Sequence, residues 1–162
     1  THKEKNKSKN KRYEKILNEK EKWNLEKSET YVEYNQKINS IIEKTKKFIM
    51  NELKDGKLVI GLGASTKGNV LLQICGIEKN LLPYISDRNI DKVGLRTLGT
   101  DIEIISEDKA RELNPSAMLV IPWNFKDEIL ERETKYIQNG GKMLFLMPFP
   151  YYIDKLGEHK IQ

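Results

Sequence analysis

From Lys57 onward the chain alternates short apolar runs with helical segments, and nothing else in the sequence restricts its fold as much. Lys57-Leu-Val-Ile-Gly-Leu62 is a buried-strand run, followed by the polar, glycine-bearing segment Gly63 to Asn69. Val70, Leu71, Leu72, Ile74 and Cys75 then predict a helix ending at Gly76. The pattern repeats with strands at Leu82–Ser86, Ile102–Ser106, Ala117–Ile121 and Lys142–Met147. Ser106 is placed to cap a helix whose first turn holds Glu107 and Asp108. Phe125 to Ile137 reads as one amphipathic helix stopped by Asn139-Gly140-Gly141. Strands and helices alternating through short connections form a parallel sheet covered on both faces. With right-handed crossovers, the expected fold is α/β: a Rossmann-like, doubly wound, mostly parallel five-stranded sheet with an N-terminal helical extension.

That extension has its own signature. Tyr31, Tyr34, Ile38, Ile41, Ile42, Thr45, Phe48, Ile49 and Leu53 recur at steps of three and four, one apolar stripe that Asp55-Gly56 terminates. Three turns of repeat are short for a coiled coil, so the stripe is read as a helix docked on the sheet. The expected organisation is a basic linker or helical arm over 1–29, a docking helix over 30–55, and an α/β domain over 56–162. Charge separates the first of these from the rest. Of a net +5, residues 1–22 supply the whole surplus, with nine basic residues against four glutamates, and the remaining 140 residues are neutral. Basicity concentrated in an Asn- and Ser-bearing leader reads as a solvated tail or linker, and it argues against a nucleic-acid surface on the folded domain. No apolar run approaches membrane-spanning length, and the first residues lack the apolar core of a signal peptide. One cysteine, Cys75, excludes an internal disulfide and a cysteine-based zinc site, which makes the cytoplasm the expected compartment. The first residue is Thr, not Met, which suggests a piece of something longer.

In open α/β sheets ligands lie beyond the carboxyl ends of the strands. Gly61-Leu-Gly63-Ala64-Ser65-Thr66-Lys67-Gly68-Asn69 leaves the first strand there. Gly61 and Gly63 fit the first two positions of a dinucleotide fingerprint, but Thr66 takes the third, and the spacing is not that of a P-loop. Four polar side chains where a plain turn needs one favour a ligand-facing loop. Asp87 ends the second strand where such folds place a ribose-binding acid; holding the loop through Arg88 or Asn89 is the alternative. Trp123, in Pro122-Trp-Asn-Phe125, is either a stacking surface or a lid on the core. No metal constellation, Ser-His-Asp set or carboxylate pair emerges, and neither His2 nor His159 is placed to act as a base.

Five fragments in order carry a resemblance: Gly63 to Leu72, Ser86 to Asn89 with Lys92-Val-Gly94, Gly99-Thr100 before Ile104, Val120 to Lys126, and Gly140-Gly-Lys142. Over about Ile38 to Pro148 the chain resembles the C-terminal domain of the sugar C-methyltransferases, which methylate carbons of nucleotide-linked deoxysugars. The resemblance implies a zinc domain and a central S-adenosylmethionine domain elsewhere in the polypeptide, with the Rossmann-like C-terminal domain serving the sugar nucleotide. On that basis S-adenosylmethionine is expected on the upstream methyl-donor domain, with no cofactor on this chain. The implied substrate contacts are Gly63, Ala64, Ser65, Thr66, Lys67, Gly68, Asn69, Asp87, Arg88, Asn89, Gly99, Thr100, Pro122, Trp123 and Asn124. Asn124 stands where the family commonly shows a histidine, so an imidazole role at that position is not carried over. The other readings are a self-sufficient dinucleotide or S-adenosylmethionine binder using Gly61, Gly63 and Asp87, and an interaction module whose basic arm contacts a partner protein.

Overall fold

The computed structural model describes residues 2–162, with side chains from residue 11 onward. The expectation of a solvated tail rests in part on residues 1–10, whose side chains lie outside those described. The chain divides into two compact units, 1–40 and 41–162. The first contains α1 (His2–Lys22) and the opening of α2 (Ser28–Lys54). Its turn is fixed by Thr30 Oγ1 donating to the Asn24 carbonyl at 2.9 Å and by the Tyr31 hydroxyl donating to the Leu25 carbonyl at 2.8 Å.

The second unit is a seven-stranded sheet: β1 (Val59–Leu62), β2 (Tyr84–Asp87), β3 (Glu103–Ser106), β4 (Ala117–Val120), β5 (Lys142–Phe145), β6 (Tyr151–Asp154) and β7 (Gly157–Lys160). The spatial order is β3-β2-β1-β4-β5-β6-β7. The first five strands are parallel neighbours, so the direction of winding reverses between β1 and β4. The two strands beyond the expected five form an antiparallel hairpin on β5. Pro148 and Pro150 break the apolar run, so the strand signal stops at Met147, yet the chain turns there and pairs again. Glu158 and Lys160 put charge on this last edge, which discourages further pairing.

Period two along the strands builds two cores. Val59, Ile85, Ala117, Leu119 and Leu144 face one side, under Ile49 of α2 and Leu72 and Cys75 of α3 (Thr66–Cys75). Ile60, Leu62, Met118, Val120, Met143 and Phe145 face the other. There they pack against Ala110 of α4 (Glu107–Glu112), Ile129 of α5 (Lys126–Arg132) and Tyr136 of α6 (Thr134–Gln138). The expected single helix over 125–137 is therefore two. At the break the Thr134 hydroxyl donates to the carbonyls of Leu130 and Glu131, a back-bond that bends helices. Cys75 is a core residue, its thiol pushed up to about 11 by burial.

One buried ion pair ties α2 to the sheet. Glu52 is 7% exposed, its Oε1 accepts from Lys142 Nζ at 2.6 Å, and Lys57 Nζ stands 3.9 Å from Oε2. Burial alone would raise this carboxyl, but the Lys142 hydrogen bond and the two positive charges outweigh it and hold its pKa below the ordinary value. A depressed carboxylate stabilises the fold above its unfolded pKa, about 4.3, and the contribution disappears as pH falls through the folded value. Denaturant midpoints measured from pH 7 to pH 3 are expected to fall in that window. Glu52→Gln should lower the midpoint at pH 7 and flatten the acid limb; an unchanged acid limb would contradict this account.

Candidate functional site

The loops after β1, β2 and β4 meet at the carboxyl edge of the sheet and enclose a cavity of about 210 Å³. Leu62, Pro122 and Ile129 supply apolar wall, Phe125 lies at its side, and Gly63, Ser65, Asp87 and Arg88 reach it from the first two loops. Glu107, Glu128 and Arg132 complete it from α4 and α5.

The segment after β1 is shorter as a loop than expected. Ser65 caps α3, its Oγ accepting from the Gly68 amide at 3.0 Å, so Thr66, Lys67, Gly68 and Asn69 form the first turn of a helix. The amides that open the turn lack intrahelical acceptors and carry the positive end of the helix dipole. Three glycines make the approach possible, each against protein. A Cβ on Gly61 would meet Ile85 at 2.8 Å, and one on Gly63, at φ +90°, would meet Pro122 at 2.7 Å. A Cβ on Gly68 would overlap Ile121 Cγ2. Gly68, two residues beyond the fingerprint's third position, is thus the glycine that lets helix and strand pack closely. A seryl cap three residues before a glycine was the sequence signal for it.

Asp87 holds the loops. Its Oδ1 accepts from the Asn89 amide at 2.9 Å and its Oδ2 pairs with Lys92 Nζ at 3.1 Å. Lys92 also donates to the Ala64 carbonyl at 2.9 Å, linking the ends of β1 and β2. Asn89 caps the turn at Ile90–Lys92. In the sequence Lys92 stands out only within the fragments that carry the resemblance, and no local pattern shows that its ammonium fills the space beside Asp87. Arg88 is held loosely: it is 68% exposed and 3.6 Å from Glu128. Arg132, in contrast, pairs with Glu107 at 3.0 Å and with buried Glu133 at 3.1 Å.

The remaining candidates divide. Pro122 lines the cavity, whereas Trp123 is half-buried against the second core and Asn124 is exposed. Gly99 and Thr100 lie in a separate turn: Thr100 Oγ1 is 2.7 Å from Thr97 Oγ1, and Gly99 packs on Gln73. Ala64, Thr66, Lys67, Gly68, Asn69 and Asn89 flank the cavity in sequence without lining it. Phe125 lines it from the turn after β4, and Glu107 of α4 with Glu128 and Arg132 of α5 line it from helix faces that the sequence presents as simply amphipathic. His159 is stacked on Tyr152 and pairs with Asp154 at 3.0 Å, away from this edge. Among the described residues no group of three His, Cys, Asp or Glu is placed to hold a metal, and no helix is long and apolar enough to cross a membrane.

Residues 1–149 match the family model described as the C-methyltransferase C-terminal domain. The C-methyltransferase NovU of Streptomyces niveus is 31% identical over 124 residues, which are 76% of this chain and 30% of that protein. The chain thus spans under a third of the length of that relative.

Proposed function

The chain belongs to the C-methyltransferase C-terminal domain family, and from that premise we propose that it is the substrate-facing domain of an enzyme that methylates a carbon of a nucleotide-activated sugar. The observation that carries this reading is the cavity where the β1, β2 and β4 loops converge, with Arg88 at its rim. An arginine paired only at 3.6 Å and largely in solvent gives up little when it turns to a phosphate, and its fork of donors suits a diphosphate. The opening turn of α3 adds amides of the same polarity.

S-adenosylmethionine, when bound, supplies an electrophilic methyl group. The residues of this chain do not fit it well. The acid that would receive a ribose, Asp87, is engaged by Lys92, and the glycine turn is closed by Pro122. The methyl donor therefore belongs on another domain of the full-length protein. This chain's part is to bind the sugar nucleotide, orient it and keep water from the face it covers.

The test is steady-state kinetics of the full-length protein. Arg88→Ala is expected to raise KM for the nucleotide sugar about 10- to 100-fold, the range of a lost charged hydrogen bond, with S-adenosylmethionine affinity unchanged. Lys67→Ala and Asn69→Ala, at the opening of α3, are expected to weaken turnover by smaller factors. Wild-type KM in all three variants would remove the site from this edge of the domain.

A further inference from the structure

We infer that Phe125 is the platform on which the base of the nucleotide stacks. The inference rests on the substrate reading above and deepens it. Phe125 ends the short turn Trp123–Phe125 that leaves β4, and it lines the cavity while 60% exposed. Its neighbour Trp123, the more obvious aromatic in the sequence, is half-buried against the second core and does not line the cavity. An exposed phenyl ring inside a concave site presents an apolar face to a ligand. Pro122 and Ile129 extend that apolar wall, and Arg88 and Glu128 provide charge at the rim. Apolar faces with polar edges are the chemistry of a planar heteroaromatic base, and base–aromatic stacking is tolerant of which base is present. A bare sugar phosphate uses the charge but not the ring.

Calorimetric titration of the full-length protein separates the two. The probes are uridine, thymidine, adenosine and guanosine diphosphates, with glucose 1-phosphate as a probe without a base. Phe125→Ala is expected to weaken the nucleoside diphosphates that the wild type binds about tenfold or more, to leave glucose 1-phosphate unchanged, and Phe125→Trp to retain affinity. Equal affinity of wild type and Phe125→Ala for a nucleoside diphosphate would overturn the stacking role and leave the substrate reading standing. Parallel loss for glucose 1-phosphate would also overturn it, by showing a general structural effect. If the wild type binds none of the four nucleotides, both this inference and the reading beneath it fall.

Discussion

Gly68→Val is expected to leave the domain unfolded. The position is buried, a Cβ there would overlap Ile121 Cγ2, and Ile121 is itself 2% exposed at the end of β4. Nothing on that side is free to move, since both groups belong to the seam between α3 and the sheet. Even Gly68→Ala should cost about 3 kcal/mol, the upper range for an inserted methyl in a packed core. Valine adds two further methyls, against a total stability of ~5–15 kcal/mol for a domain of this kind. A second substitution identifies the cause. Ile121→Ala opens the space that the new Cβ needs, so Gly68→Ala with Ile121→Ala should cost less than the sum of the single changes. Additive effects would mean that the overlap is relieved elsewhere. Gly56→Ala is the contrast: unlike Gly68 it has a positive φ, +71°, but nothing lies within 4 Å of a Cβ there, so only backbone strain of about 1 kcal/mol is expected.

Glu133→Ala is expected to cost roughly 3 kcal/mol. This carboxylate is 3% exposed, yet it accepts from Arg111 Nη2 at 2.9 Å and from Arg132 Nε at 3.1 Å. Removing one member of a buried ion cluster leaves charge without its partner, a loss of about 3–5 kcal/mol. The two guanidiniums keep access to water, with side chains 40% and 25% exposed, which places the effect at the low end. Urea unfolding of Glu133→Ala and Glu133→Gln checks it; a change below about 0.5 kcal/mol for Ala would show that water replaces the carboxylate fully. Arg132 and Glu107 line the cavity, so the same variant should also raise KM in the full-length protein.

The fold was readable wherever one local rule decided the outcome. Apolar runs marked β1 to β5, Ser106 capped α4 with its Oγ 3.2 Å from the Lys109 amide, and Gly76 closed α3 in the left-handed conformation. The readings that changed depended on partners distant in sequence. The β6–β7 hairpin exists because β5 offers Tyr151 to Ile153 an edge, across a proline-bearing segment that reads as a break. The split between α5 and α6 is the exception, since the Thr134 back-bond that bends the helix there is local. At the site, the polar cluster Ser65 to Asn69 was visible, but its role as a helix cap and first turn depends on Gly68 meeting Ile121. Asp87 was visible as an acid at a strand end; that Lys92 occupies it follows only from how the β2 loop folds back.

The central claim is that this domain faces the sugar nucleotide and does not carry the methyl donor. Calorimetric titration of this chain with S-adenosylmethionine tests it most directly. The account predicts no binding in the micromolar range, in wild type or in Arg88→Ala. A micromolar Kd for S-adenosylmethionine on this chain would contradict it and make the domain a methyl-donor binder in its own right.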